Sequence, residues 1–468
     1  MNFMNAAPLE AANAHGGRFV GLTLVALCLA VLVAQVDTAV VNLAVRPIGA
    51  YFHAGVAAMQ WIVDSYNLVY AVLLLTGGLL ADLYGRRLVF MAGALVFTLA
   101  SFVCAFAPSV PILIFGRAAT GLGAALIVPS SLAIIRVVWQ DPTARGRALG
   151  IWAACNGLAF VIGPTLGGLL IHHFGWPSVF LVVTPLAIAA LALAPIAIPE
   201  SRDPAGRHFD APAQAFGMAA LGGIAFAAIE SHGSVTLAVT ALAIAATALI
   251  FFIRVESARG EAALVPLDIF RIREFRGAAV ATTGMTFGMY GILFLLPLTW
   301  QGTGRLDATQ AGIALIPMAL VFVIVSPFSG ALVRKFGAPA TTGGGVAIIG
   351  LGLLLIGASV HEHGLLATEI GLALTGFGMG LATGPLMGVA VGAVAASRSG
   401  TASSLINVAR MAGATIGVAS LGSIFALAGA GPDGLRAAMI LGGCVQIACS
   451  LYAWTARTRI HGDGHRNV

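Results

Sequence analysis

Residues 78–87 read Gly78-Leu79-Leu80-Ala81-Asp82-Leu83-Tyr84-Gly85-Arg86-Arg87 between two long apolar runs, and residues 330–337 read Gly330-Ala331-Leu332-Val333-Arg334-Lys335-Phe336-Gly337 in the same setting. Both glycines of the first string return in the second, displaced by 252 residues. Gly121 and Gly123 return as Gly376 and Gly378, 255 residues on, and the 17-residue spacing of Gly146 and Gly163 returns in Gly400 and Gly417. Three independent matches near one displacement imply a chain built from two related halves.

The material between these signatures has the composition of a membrane protein. Of 468 residues 59% are hydrophobic and only 9% charged, and the mean hydropathy is +0.98. A soluble domain carries about 25% charged residues to keep its surface solvated, so a soluble fold is excluded. Runs of about 20 apolar residues recur without strand-like alternation, which selects an all-α polytopic membrane protein over an outer-membrane barrel. Segments of spanning length lie near 19–43, 57–81, 88–106, 110–135, 148–171, 177–198, 213–230, 234–254, 277–300, 309–333, 340–360, 365–390, 402–428 and 435–455, fourteen in all. The first is longer than the ~7–15-residue core of a signal peptide and reads as an uncleaved span. Six spans per half leave two over, giving a 6 + 2 + 6 plan: a tail at 1–18, a six-helix bundle at 19–198, two additional helices with their loops at 199–276, a second bundle at 277–455 and a tail at 456–468.

The net charge of +6 points to orientation rather than to nucleic acid, because no basic helix, zinc knuckle or RNA-binding signature accompanies it. Of the 24 basic residues, 19 fall in the tails and even-numbered connections, and only Arg46, Arg305 and Arg436 in the odd ones. The positive-inside rule then puts both termini in the cytoplasm. Arg117 and Arg410 lie inside spans. Cys28, Cys104, Cys155, Cys444 and Cys449 all sit in apolar runs with no CxxC or Cys/His spacing. They read as small core residues, with no disulfide, metal or other cofactor expected.

The string Gly78-x-Leu80-Ala81-Asp82-x-x-Gly85-Arg86-Arg87 resembles motif A of the major facilitator superfamily, and Gly163-Pro164-x-x-Gly167-Gly168 resembles motif C of its antiporters. Leu113-x-x-x-Arg117-x-x-x-Gly121-x-Gly123 is similar to motif B, and Asp37-Thr38-x-x-x-Asn42 to the first-helix motif of the fourteen-span drug:proton antiporters. The match covers nearly the whole chain. Two positions depart from the pattern: Ala159 stands where motif C usually opens with Gly, and Arg334 stands where a second copy of motif A would repeat Asp82. The resemblance implies the major facilitator fold, with two parallel repeats about a central path. It implies a monomer in the bacterial cytoplasmic (inner) membrane, exporting lipophilic, cationic small molecules in exchange for protons by alternating access. Its partners are those small molecules, protons and the lipid bilayer, with no nucleic acid.

Ionisable groups inside spans are the sharpest functional pointers, because lipid tolerates a charge only where protein or water compensates it. Asp37 in the first span, Asp64 in the second and Arg117 in the fourth each lie roughly 10 Å below the outer surface at 1.5 Å rise per residue, so all three can meet in one layer. Asp37 and Asp64 are candidates for proton exchange with Arg117 as their modulator; the plain alternative is a static buried ion pair that orders the helices. Gln35, Thr38 and Asn42 share one face of the first span, while Asp37 points elsewhere. With Trp61, Tyr66, Asn156 and Tyr290 they are candidates for a substrate cavity. Asn407 and Arg410, one turn apart in the thirteenth span, resemble the cavity or inner gate of the fourteen-span antiporters, and a snorkelling arginine is the alternative.

In motif A, Gly78 and Gly85 permit a tight turn, Asp82 is placed to cap a helix, and Arg86 and Arg87 to pair with acids or phosphates. Gly163, Pro164, Gly167 and Gly168 of motif C favour close packing and a bend. Trp176 and Trp300 read as interface anchors, and Glu230 as a solvated end group. No GxxxxGK[ST] string points to ATP, and no Ser/His/Asp or metal grouping points to an enzyme. A narrow exporter of one metabolite and a non-transporting sensor or scaffold are the competing readings.

Overall fold

The computed structural model describes residues 17–202, 210–231, 234–260, 263, 265–361, 365–395 and 398–456; some side chains within helices, that of Asn156 among them, lie outside the described set. Among these residues the structure is helical throughout, as it must be where lipid offers the backbone no hydrogen-bond partner. The first half comprises α1 (Gly17–Phe52), α2 (Val56–Tyr84), α3 (Arg86–Ala105), α4 (Val110–Val138), α5 (Pro142–Phe174), α6 (Ser178–Leu181) and α7 (Thr184–Ala197). Two further helices follow, α8 (Ala211–Glu230) and α9 (Val235–Arg259). The second half comprises α10 (Arg273–Gly302), α11 (Ala308–Ala314), α12 (Ile316–Val325), α13 (Ser329–Phe336), α14 (Ala338–Ser359), α15 (Leu366–Gly392), α16 (Ser399–Leu427) and α17 (Pro432–Thr455).

Thirteen helical segments among the described residues are long and apolar enough to cross a membrane, counting α6 with α7, and α11 with α12 and α13. The 33-residue α5 stands between them in sequence. The sixth and tenth runs, expected as single helices, are broken. Pro185 lacks the N–H that would bond Leu181, and Pro317 and Pro327 do the same to Ile313 and Val323, so the breaks, at residues 182–183, 315 and 326–328, fall within a turn of these prolines.

The duplication is built into the helix packing. A Cβ on Gly93 would stand 2.9 Å from the Gly123 carbonyl, and one on Gly123 would stand 2.9 Å from the Gly93 carbonyl, so α3 and α4 touch backbone to backbone. Gly345 and Gly378 make the same reciprocal contact between α14 and α15. Gly121 lies against the Tyr66 backbone, and Gly376 against that of Met318. Lipid supplies no hydrophobic drive between helices, so close van der Waals approach through small residues does this work.

The helices differ in how far the rest of the molecule surrounds them. α10 is 89% buried across its most apolar window, whereas α9 is only 22% buried and faces outward. α8 runs along α2: Gln214 donates to the Val72 carbonyl at 2.7 Å and accepts from Thr76, Leu68 touches Gly222, and the Trp61 indole reaches Glu230 at 3.4 Å. The added pair is therefore packed against both halves, bonded to α2 by these contacts and to α16 through Ser423 and the Ala228 carbonyl.

Cysteine placement differs from expectation. Cys104 is buried, Cys28, Cys155 and Cys449 are half-buried, and Cys444 is exposed on the outer face of α17, where a small polarisable side chain meets the apolar surroundings as readily as it would a core. Trp176 and Trp300 are buried, the former among the rings of Tyr51, Phe52 and Phe180, so packing rather than the lipid interface holds them.

Candidate functional site

α2 presents three faces, each turned about 100° from the next residue's direction, and the site is legible from them. Tyr66 and Gly77 face α4; Trp61, Leu68 and Val72 face α8; Gln60 bonds α16 of the other half, and Asp64 and Asn67 lie within about 40° of Gln60 around the helix. The first face belongs to a buried ion pair. Arg117 Nη1 lies 2.6 Å from Asp37 Oδ2, with the two side chains 1% and 0% exposed. The guanidinium also donates from Nε to the Ile62 carbonyl at 3.1 Å and lies 4.6 Å from the centroid of the Tyr66 ring. Tyr66 in turn donates its hydroxyl to the Ala34 carbonyl at 3.1 Å. Asp37, Arg117 and Tyr66 thus tie α1, α2 and α4 into one unit.

Asp64 does not join that layer. Helical rotation turns it from the Tyr66 face toward α16, and it is fully buried with neither carboxylate oxygen hydrogen-bonded. One turn earlier, Gln60 Nε2 donates to the carbonyls of Val418 and Ala419 at 3.2 and 2.9 Å. Because α2 and α16 run antiparallel, the turn of α16 opposite Asp64 is that of Thr415, whose buried hydroxyl also lacks a partner, as do both polar atoms of Asn67. A buried acid with the Asn67 side chain of its own helix beside it therefore sits on the seam between the halves, one turn inside a polar clasp.

The same seam continues on the far side of the molecule. Thr309 Oγ1 donates to the Gly168 carbonyl at 3.1 Å, Gly312 abuts the Pro164 carbonyl, and Gln301 Nε2 donates to the Leu43 carbonyl at 3.2 Å. Gly163 and Gly167 lie against Ala39 and Val40 of α1. The motif C residues thus bring α5 against both α1 and α11. These cross-half contacts gather at the end of the bundle that carries Gln60 and Gly168, opposite the end that carries Gly85.

At that opposite end, Gly85 turns the chain with φ +121°, a conformation costly for any other residue, and Gly337 does likewise at φ +84°. Asp82 accepts from Arg86 at 2.9 Å instead of capping a helix. The N-terminus of α3 is capped by Glu200, which accepts from the backbone N–H groups of Arg87 and Leu88 at 3.1 and 3.2 Å. Arg86 N–H donates to the Ser201 carbonyl at 2.9 Å, and Arg87 Nη1 to that of Ile198 at 3.3 Å. Gly78 faces Pro129 at ordinary contact distance. Removing the cap with Glu200→Ala is expected to lower stability by about 1 kcal/mol, seen as a lower thermal midpoint of the purified protein. An unchanged midpoint would contradict the assignment.

Of the cavity candidates, the structure brings Tyr290 and Arg410 together with Tyr70, on three different helices. Asn407, one turn before Arg410, donates to the Ser403 carbonyl at 3.1 Å. Tyr66 is 1% exposed and committed to the ion pair, and Trp61 faces α8 and the ring of Phe226, so neither lines a path between the halves. Glu230, expected to be solvated, is the acceptor for Trp61. Thr38 and Asn42 are buried with their side chains bonded to α1 carbonyls, while Gln35 is half-exposed. The Asn156 side chain lies outside the described residues.

A family model described as the Major Facilitator Superfamily matches residues 27–418. The chain is 35% identical over 408 residues to the multidrug resistance protein Stp of Mycobacterium tuberculosis (strain CDC 1551 / Oshkosh), covering 86% of this chain and 76% of that protein. It is 31% identical to the multidrug efflux pump LfrA of Mycolicibacterium smegmatis over 93% of this chain and 88% of that one. Among solved structures, a bacterial homologue of the human lysosomal transporter Spinster superposes with a TM-score of 0.69 at 17% identity, over 94% of this chain and 97% of the other.

Proposed function

The chain belongs to the major facilitator superfamily, a family of multi-pass membrane transporters for small molecules, and on that footing we propose that it exports lipophilic, cationic compounds in exchange for protons. The proposed arrangement has fourteen spans in the bacterial cytoplasmic membrane, with both termini and the Gly85 turn facing the cytoplasm and the Gln60 end facing outward. Residues 19–198 and 277–455 are the two moving bundles, residues 199–276 supply an added pair packed on both, and one chain suffices. No catalytic step is assigned to it.

One observation carries this reading: Asp64 is a fully buried carboxyl group without a hydrogen-bond partner, on the seam where the bundles separate. A partnerless ion in that setting is costly, and two things relieve the cost: a proton, or the positive charge of a cargo molecule. Mutual exclusion of the two at one site is the physical basis of antiport, provided each face of the membrane reaches the site in turn. Asp37 is assigned the other role, that of a permanent partner to Arg117, because its pairing is already satisfied inside one bundle. The clasp of Gln60 on α16 and the contact of Gly168 with Thr309 hold the outer ends together, and their release would open the site outward.

Everted vesicles bearing an imposed pH gradient provide the test. Adding a lipophilic cationic dye is expected to dissipate part of the gradient only when the protein is present. A broad panel of cationic and neutral drugs that leaves the gradient untouched would overturn the reading.

A further inference from the structure

Arg410 is the one charge on the seam that the account so far leaves without a use. It stands well inside α16, a helix held in place at this level: Gly413 and Gly417 abut the Thr283 and Phe287 carbonyls of α10, and Thr283 Oγ1 donates to the Ala409 carbonyl at 3.2 Å. The guanidinium forms no ion pair or hydrogen bond among the described residues, its Nε is buried and unpartnered, and the side chain keeps part of its surface open. Its polar neighbours are the hydroxyls of Tyr70 on α2 and Tyr290 on α10, which are buried to 5% and 3% exposure and carry no charge to offset it.

A snorkelling arginine would reach a helix end, and a structural one would hold a carboxylate, as Arg117 does. Arg410 does neither. The uncompensated acid on α2, across the seam, is Asp64. Thr415 stands opposite Asp64, so five residues of α16 separate the two levels, roughly 7.5 Å along the axis at 1.5 Å per residue, with Arg410 and Thr415 leaving the helix about 140° apart. With Asp37 and Arg117 neutralising one another, the seam carries two unbalanced poles of opposite sign, one on each bundle, with tyrosine rings beside the positive one.

We propose that Arg410 receives an anionic group, a carboxylate or one of like shape, on an amphoteric lipophilic cargo whose cationic end faces Asp64. This rests on the export reading above and narrows its substrate class from cations to molecules carrying both charges. A planar guanidinium with free N–H groups holds a carboxylate through two parallel hydrogen bonds, and partial burial strengthens them. A cargo with both poles touches both bundles at once, so its binding couples their relative position to occupancy.

Tetramethylrhodamine and its methyl ester test this, since they share one cationic ring system and differ only in a free carboxylate. Fluorescence polarisation with the purified full-length protein is expected to show the acid bound on the order of tenfold more tightly than the ester. Arg410→Gln should weaken the acid by a similar factor and, by removing a like charge, tighten the ester. Arg410→Lys should keep most of the preference for the acid. Equal affinities in the wild type, failure to bind either dye, or parallel weakening of both dyes by Arg410→Gln would overturn the proposal. A wild type that prefers the acid yet moves neither dye against a pH gradient would instead remove the export reading and leave the site of Arg410 standing.

Discussion

Asp64→Asn is expected to abolish proton-coupled export, with gradient-driven dye movement falling by on the order of a hundredfold or more, while the protein still folds and still binds dye. Folding is spared because the exchange removes an ionisable group from a site that offers it no partner: Asp64 is fully buried and both its oxygens lack hydrogen bonds. An amide of the same shape costs no more to bury than the carboxyl group, and it can bond Asn67 on its own helix or Thr415 across the seam. Coupling is lost because the amide takes up no proton at any accessible pH. Dye counterflow, which needs no net proton movement, should survive in the variant. Full gradient-driven transport by Asp64→Asn would mean that another group exchanges the proton.

Arg117→Ala carries the largest expected loss of stability, about 3–5 kcal/mol, because it strands Asp37 as an uncompensated charge in a dry interior. The same change removes the hydrogen bond to the Ile62 carbonyl and the guanidinium beneath Tyr66, both of which hold α4 to α2. The variant should accumulate poorly in membranes and unfold at a much lower temperature in detergent. Replacing both partners, Asp37→Leu with Arg117→Met, should recover most of the loss, since two apolar side chains of similar volume need no desolvation. A stable Arg117→Ala protein, or a double variant no better than the single, would show that the pair does not hold the bundle together. A folded double variant that still couples transport to protons would further separate this pair from the proton-exchange role given to Asp64.

The duplication was readable from the glycines alone, because close helix approach leaves no freedom in residue type: Gly93 with Gly123 and Gly345 with Gly378 are contacts that any Cβ would block. In-span charges were readable for a similar reason, since lipid makes each of them conspicuous. Their pairing was not. Asp37, Asp64 and Arg117 lie at one depth, and only helix rotation decides that Arg117 meets Asp37 while Asp64 faces α16. The spacing of Gln60, Asp64 and Asn67 along one face of α2 held that information as a polar stripe. Glu200 left no trace of its role: it follows Pro199 in a connection, and becomes a cap only when the chain folds back on α3. Thr76 and Gln214 were equally silent, because nothing in either run says that the two added helices lie along α2.

One proton and one cargo cation compete for Asp64 in the proposed exchange, and proton release on binding measures that competition directly. In weakly buffered solution containing the purified protein, adding tetramethylrhodamine methyl ester should release up to about one proton per bound dye from the wild type and none from Asp64→Asn. Equal proton release from both proteins, or saturating binding to the wild type without any release across the pH range, would contradict it.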